Sequence, residues 1–438
     1  MFERNIENEL RLWKASDIRK VLILRGARQV GKTSLIRKFG LESFEEMVEI
    51  NLEQAEHRQW FEGVVSIVDF AKRVELYLHK NLVDQKTLLF IDEVQELPDV
   101  LNLLRFFAEE RPGLHVIVAG SLLEARMHDK WSVPVGRVEY LYLYPLTFFE
   151  YLSAMEKSQW RKYLESVKIG DKITGQIELK KLFLEYMMVG GLPEAVASII
   201  KTEGWNIAKQ IQERLQSAYV DDIGKYAKQG EKKYLELVLK MAPKLAGSLF
   251  KYENMGESGY RGREVGDAVE KLEKIMLLTQ VNSINTTTLP IFAKPKRAKK
   301  MIWLDTGLVN FANKSHETVF EGSYEGRLME QVTGQVLVAQ GARTKTEIYY
   351  WAKDRDQGSA EVDFVVQKGN KLVAFEVKSG DTREMKSLFS MIDDGGERIF
   401  PIRVGWDGWG MRSYVHDKKK YEILSIPFYL LERWRELV

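Results

Sequence analysis

The sequence predicts an α/β chain. A parallel sheet is built around a phosphate-binding loop and is followed by an α-helical lid, a winged-helix module and a second, C-terminal α/β domain. Three observations predict this. The apolar run Val21-Leu22-Ile23-Leu24 leads into Gly26-Ala27-Arg28-Gln29-Val30-Gly31-Lys32-Thr33, which reads G-x-x-x-x-G-K-T between a strand and a helix. Short apolar runs alternate with helical spacing through the first third of the chain. Beyond Pro145 helical spacing dominates, until strand-like runs return near residues 278–304 and again at 348–377.

In order, residues 21–25 read as a buried strand, and a helix follows the loop as far as Phe39. Residues 47–52 form a second strand and 67–78 an amphipathic helix; 88–91, 100–108 and 116–119 read as strand, helix and strand. The alternation of 137–144 makes a fifth strand. Repeated strand–helix units imply a parallel sheet covered on both faces. Residues 148–217 are helical, interrupted by Gly190-Gly191-Leu192-Pro193, and form the lid. Helices continue to about residue 310 and end in a hairpin pattern, 278–281 with 300–304, the pattern of a winged helix-turn-helix. The last block carries a helix at 324–340 and strands near 348–351, 362–366 and 372–377. There is no internal repeat or low-complexity tract.

The chain has 438 residues, 45% of them hydrophobic and 29% charged, enough for several domains with sizeable cores. Its net charge of +2 supplies no chain-wide field for nucleic acid, so any basic footprint is local. The absence of cysteine excludes disulfides and thiolate metal sites and fits a reducing compartment. Residues 1–20 lack the apolar core of a signal peptide, and no run is long and apolar enough to span a bilayer. The expected location is cytoplasmic, with no membrane association.

The loop chemistry needs its residue types. Gly26 and Gly31 let the backbone curl so that the N–H groups of residues 26–34, Ser34 included, turn toward phosphate. Lys32 offers a cation to the β- and γ-phosphates of ATP, and Thr33 a hydroxyl to Mg²⁺. The bland alternative is a glycine turn with an incidental lysine. Leu88-Leu89-Phe90-Ile91-Asp92-Glu93 reads as a buried strand whose tip emerges at the carboxyl edge of the sheet, where open α/β sheets bind ligands. Asp92 is the candidate Mg²⁺ ligand, direct or through water, and Glu93 the base that orients and deprotonates the attacking water. An ordinary strand with a charged loop is the alternative. Ser121, after the apolar run 116–119, either positions water or caps the next helix. Arg137 is either a γ-phosphate sensor or arginine finger, or a solvated charge. Arg25 and Arg28 flank the loop and serve phosphate or pair with acids.

These segments, together with Ala119-Gly120-Ser121, Gly136-Arg137-Val138-Glu139, Tyr144-Pro145-Leu146-Thr147 and Gly190-Gly191-Leu192-Pro193, resemble a prokaryotic AAA-type ATPase family. In that family the ATPase module is fused to a C-terminal domain of unknown function. The resemblance covers nearly the whole chain. It implies an AAA+-like P-loop NTPase core at 1–147, an α-helical lid at 148–217, a winged-helix domain at 218–312 and a C-terminal domain at 313–438. It implies little about biological role.

In the last block, residues 360–366 and 372–378 flank Gly369-Asn370 and read as a β-hairpin. Alternation puts Glu376 and Lys378 on one face, where Asp363 of the neighbouring strand can meet them. Two carboxylates and a lysine so placed bind Mg²⁺ and activate water against a phosphodiester; Glu330 on the preceding helix completes the metal shell. This arrangement resembles the PD-(D/E)XK nuclease superfamily. The departure is that Val362-Asp363 stands where that pattern has Pro-Asp. A hairpin with charges on its solvent face is the alternative reading.

Lys294, Lys296, Arg297, Lys299 and Lys300 lie within seven residues between the two wing strands. They are candidate nucleic-acid contacts, or else a solvated turn that protects a sheet edge. The leading expectation is Mg·ATP hydrolysis driving conformational change in the winged-helix and nuclease-like domains, with nucleic acid as the partner. The alternatives are an ATP-dependent DNA nuclease, and a slow-turnover switch that binds a protein partner. If Arg137 acts in trans, a homo-oligomer is required.

Overall fold

Burial along each strand of the first sheet follows its position. The computed structural model describes residues 1–120, 136–202, 205–227, 230–253, 255–314, 322–354, 359–380 and 384–438. They form two compact units. The first comprises Met1–Tyr144 with Lys274–Met276 and Gly341–Lys345. Its strands are β1 (Val21–Arg25), β2 (Glu46–Asn51), β3 (Thr87–Asp92), β4 (His115–Gly120) and β5 (Val138–Tyr142), in the order β2-β3-β4-β1-β5. Every pairing is parallel, as the sequence predicts. β3 and β4 are buried throughout and β1 nearly so, whereas the edge strands β2 and β5 are only partly covered. That is the behaviour of central strands covered on both faces.

The core on one face joins Ile23, Ile50, Ile91 and Val118 of the strands to Phe61, Phe70, Val100, Leu104 and Phe107 of the flanking helices. The helix Ile67–Leu78 has its expected bounds, set by Ser66, whose hydroxyl accepts the Asp69 N–H at 3.1 Å. The N-terminal helix Glu7–Lys14 is not anticipated by the sequence reading; it buries Leu10 and Trp13.

The second unit comprises Pro145–Glu273, Leu277–Gln340 and Thr346–Val438. It begins with helices, among them Gln176–Val189 and Pro193–Thr202. Between these two, Gly190 and Gly191 permit a close approach that no larger residue allows. A Cβ on Gly190 would lie 2.0 Å from an oxygen of Asp305, and one on Gly191 2.1 Å from the Leu146 carbonyl oxygen. Asp305 caps the helix Thr306–Asn313 by accepting from Gly307 and Leu308, and it also accepts the Gly191 N–H at 2.6 Å. The Gly-Gly-Leu-Pro segment is therefore a packing junction.

The unit's strands are β6 (Leu249–Phe250), β7 (Leu278–Ile284), β8 (Lys299–Trp303), β9 (Tyr349–Ala352), β10 (Glu361–Lys368), β11 (Lys371–Val377), β12 (Ile399–Gly405), β13 (Gly410–His416) and β14 (Lys419–Pro427). They form one sheet, β13-β14-β12-β11-β10-β9-β7-β8-β6. The hairpins β7–β8 and β10–β11 are antiparallel, as expected. β7 also pairs in parallel with β9, Asn282 opposite Tyr349, so the first hairpin and the C-terminal strands share one sheet. Among the described residues no single helix is long and apolar enough to cross a membrane; the apolar pair Gln176–Val189 and Pro193–Lys201 is bent by 117°.

Candidate nucleotide site and a buried acidic cluster

Parallel strands bring their carboxyl ends to one edge, and the loop after β1 and the tip of β3 both lie there. Gly31 starts the helix Lys32–Ser43 with φ of 96°. Gly26 passes so close to the chain after β5 that an added Cβ would meet the Leu143 carbonyl oxygen at 2.5 Å. The Lys32 ammonium is buried and donates to the carbonyl oxygens of Gly26 and Ala27, both at 3.0 Å. Burial lowers its pKa, and the Glu93 and Asp92 charges partly offset this.

The Thr33 hydroxyl donates to Asp92 Oδ2 at 2.5 Å, and Asp92 Oδ1 accepts the Glu93 N–H at 3.0 Å. Burial raises the Asp92 pKa against the opposing Thr33 hydrogen bond. A hydroxyl and a carboxylate in contact form a hard oxygen donor set, which fits Mg²⁺ brought in on a nucleotide. Glu93 adopts a left-handed backbone, φ 51° and ψ 46°, and accepts from Gln95 Nε2 at 2.5 Å. Such a conformation in a non-glycine residue is held by its surroundings and is common at functional sites.

One residue near the loop escapes sequence reasoning. Arg4 is buried and donates to the carbonyl oxygens of Val30, at 3.0 Å, and Tyr144, at 2.5 Å. Its neighbour Glu7 accepts from Lys38 at 2.8 Å, on the helix that leaves the loop. Nothing in the spacing of residues 1–10 signals this anchor.

Other expected residues are placed differently. Ser121 lies outside the described residues. Arg137 is corrected as a sensor of its own loop. It precedes β5, whose first residue Val138 is opposite Val21, the first residue of β1. The loop leaves the other end of β1, roughly 13 Å farther along at about 3.3 Å per residue. Arg137 instead pairs with Glu109 at 2.9 Å. Arg28 pairs with Glu53 at 3.3 Å, and Arg25 lies over the rings of Tyr140 and Tyr142.

In the second unit Asp363, Glu376, Lys378 and Glu330 do come together. Lys378 Nζ is 2.9 Å from Glu376 Oε1, and Asp363 Oδ2 accepts the Val377 N–H at 2.8 Å. Burial and the adjacent Asp363 charge push both Glu376 and Glu330 up to about 7. An unexpected member lies among them. Lys300 Nζ is 2.5 Å from Glu330 Oε2, 3.4 Å from Asp363 Oδ1 and 3.9 Å from Glu361 Oε1. Burial alone would lower its pKa; Asp363 and Glu330 more than offset this and hold it above the ordinary lysine value. Among the described residues no group of three or more His, Asp or Glu side chains is arranged to hold a metal ion. The residues as arranged do not fit a divalent cation, because the Lys300 ammonium already stands among Glu330, Glu361 and Asp363.

This also corrects the basic tip. Lys300 is buried, and Arg297 pairs with Asp354 and donates to the Ala352 carbonyl at 2.7 Å. Lys299 donates to Asn282 at 2.8 Å. Lys294 and Lys296 are the two of the five that are exposed.

The parallel sheet and its phosphate loop fall within a stretch that is similar to an AAA domain. Residues 18–152 match the family model described as an AAA domain. Residues 180–318 and 325–396 match two domains of unknown function, DUF8612 and DUF4143. No curated protein matches the chain. Among solved structures, the Thermotoga maritima RuvB Holliday junction branch migration motor matches at 17% identity and a TM-score of 0.32, covering 64% of this chain and 90% of that one. The Aeropyrum pernix ORC1 protein in complex with DNA matches at 14% and 0.31, covering 71% and 93%. The S. cerevisiae Hsp104–ADP complex matches at 16% and 0.31, covering 62% and 38%. Likeness at this level does not extend to individual residues.

Proposed function

We propose that the chain is a cytoplasmic ATPase that binds Mg·ATP at residues 26–34 and couples its hydrolysis to the second unit. The observation that carries this reading is the meeting of Lys32, Thr33, Asp92 and Glu93 at one carboxyl edge, with Thr33 and Asp92 in direct hydrogen bond. Mg²⁺ arriving with the nucleotide neutralises phosphate charge. Lys32 leaves its two carbonyl partners and donates to the β- and γ-phosphates. Thr33 and Asp92 are the residues that would hold the cation in place of their mutual hydrogen bond. Glu93 leaves Gln95, orients a water in line with the γ-phosphorus and takes its proton, while the bond from the γ-phosphorus to the β–γ bridging oxygen breaks and ADP leaves.

The test is steady-state turnover and nucleotide binding in the full chain. Lys32→Ala is expected to abolish binding. Glu93→Gln is expected to bind ATP yet lose roughly 10²-fold or more in turnover. Unchanged turnover in Glu93→Gln sinks the assignment of the base. Tight retention with negligible hydrolysis by the unaltered chain would instead identify a nucleotide-dependent switch.

Nucleic acid is the partner this reading favours. A winged-helix arrangement is supported by the antiparallel strands β6, β8 and β7 following the helices Lys232–Leu245 and Gly262–Lys274, with Lys294 and Lys296 exposed between β7 and β8. A nuclease-like fold for the C-terminal strands is supported by the convergence of Asp363, Glu376 and Lys378. Arg137, remote from its own loop, serves catalysis only in an oligomer.

A further inference from the structure

Lys300 stands on β8, opposite Val281 of β7 and Leu249 of β6. Its side chain is 2% exposed, as buried as the core leucines, yet it ends in an ammonium. That ammonium meets carboxylates from two other elements: Glu330 on the helix Gly322–Ala339, and Glu361 and Asp363 on β10. It also donates to the Asp363 carbonyl oxygen at 3.3 Å, and it sits 4.9 Å from the centre of the Phe364 ring. A buried ammonium needs charged or hydrogen-bonding partners to offset its lost hydration. On the other side of Asp363, Glu376 is 6% exposed and keeps one carboxylate oxygen, Oε2, buried with no hydrogen-bond partner. Four acids and two lysines, Lys300 and Lys378, leave the cluster with an excess of two formal negative charges.

A divalent cation bound by these acids would need carboxylate oxygens at about 2.0–2.6 Å. Asp363 is the acid common to both halves of the cluster: its Oδ1 faces Lys300, and its Oδ2 is taken by the Val377 N–H. A second cation beside the Lys300 ammonium would meet like-charge repulsion in a site of low dielectric. We propose that Lys300 is a resident cation that takes the place of a divalent metal in this cluster and closes the C-terminal domain to metal-dependent phosphodiester cleavage. The inference rests on the nuclease-like reading of that domain. It makes the domain a non-cleaving module. Lysine reproduces one of the metal's two charges and cannot bind and activate a water as a Lewis acid does.

The experiment uses the full chain without nucleotide and Mn²⁺ as the probe, with bound metal counted by electron paramagnetic resonance. Comparison with Asp363→Asn isolates this cluster from the Thr33–Asp92 site. The unaltered chain is expected to show no Asp363-dependent Mn²⁺, and no Asp363-dependent nicking of supercoiled DNA in Mn²⁺. Lys300→Met is expected to gain one bound Mn²⁺ per chain, lost again in Lys300→Met/Asp363→Asn, while Lys300→Arg is expected to gain none. An Asp363-dependent ion in the unaltered chain overturns the proposal, and that arm requires no variant at Lys300. So does a folded Lys300→Met, judged by its circular dichroism, that gains no ion. Lys32-dependent ATP turnover, measured separately, decides the ATPase reading whichever way these arms fall.

Discussion

Lys32 and Arg4 illustrate two ways in which one cation can serve a loop. Lys32 is folded back on the carbonyls of Gly26 and Ala27 and is available to phosphate. Arg4 is a fixed brace, bonded to Val30 and Tyr144. Charge-assisted hydrogen bonds of this kind contribute about 1.5–3 kcal/mol each when they hold a buried group. Arg4→Ala is therefore expected to weaken nucleotide binding by about tenfold, equivalent to ~1.4 kcal/mol. Arg4→Lys reaches fewer partners and should recover only part of this. The measurement is the dissociation constant of a fluorescent ATP analogue, and an unchanged value in Arg4→Ala would show that the loop keeps its shape without the brace. The loop residues themselves were legible because phosphate binding needs contiguous backbone N–H groups, so the chemistry is written in consecutive letters. Arg4 was not, since its partners are carbonyl oxygens that carry no residue type.

Among elements, the junction at Gly190 is the most demanding. Its φ of 81° and the 2.0 Å approach of Asp305 both exclude a side chain. Gly190→Ala is expected to push Asp305 from its cap and destabilise the second unit by roughly 2 kcal/mol or more. The check is the denaturant midpoint against that of Lys180→Ala, a change on the preceding helix; equal midpoints would refute it. The elements with the clearest periodicity, such as Ile67–Leu78 and the hairpin strands β10 and β11, sit where the sequence predicts. β12, β13 and β14 were not recognised. β13 is half-exposed and rich in polar residues, and it is a strand because β14 supplies its hydrogen bonds, Gly410 opposite Ser425 through His416 opposite Lys419.

At the scale of the whole molecule, the response to pH reports on buried groups. Burial, reinforced by the Arg19 charge, pushes His115 in the first unit down from 6.5 to about 4. Between those values the folded chain binds fewer protons than the unfolded one. Its contribution to stability is complete above pH 6.5 and is lost as pH falls toward 4. His115→Phe, which can pack against Trp13 and Phe44 as the imidazole does, should flatten the thermal midpoint across that window. A slope equal to that of the unaltered chain would contradict the assignment.

The amino-acid sequence by itself determined the parallel sheet, the phosphate loop with its Thr33 and Asp92, and the hairpin that carries Asp363 and Glu376. Each depends on local spacing or on short patterns that strand and helix geometry repeat. Only the tertiary structure decided what Lys300 is. In the sequence it belongs to a basic run with Lys294 and Lys296; in the fold it is turned among acids 30 and 63 residues away. Solvation separates the two cases: a lysine in a run of charges is ordinarily dissolved in water, and Lys300 is held dry because the fold brings carboxylates from a neighbouring helix and from β10 to its ammonium.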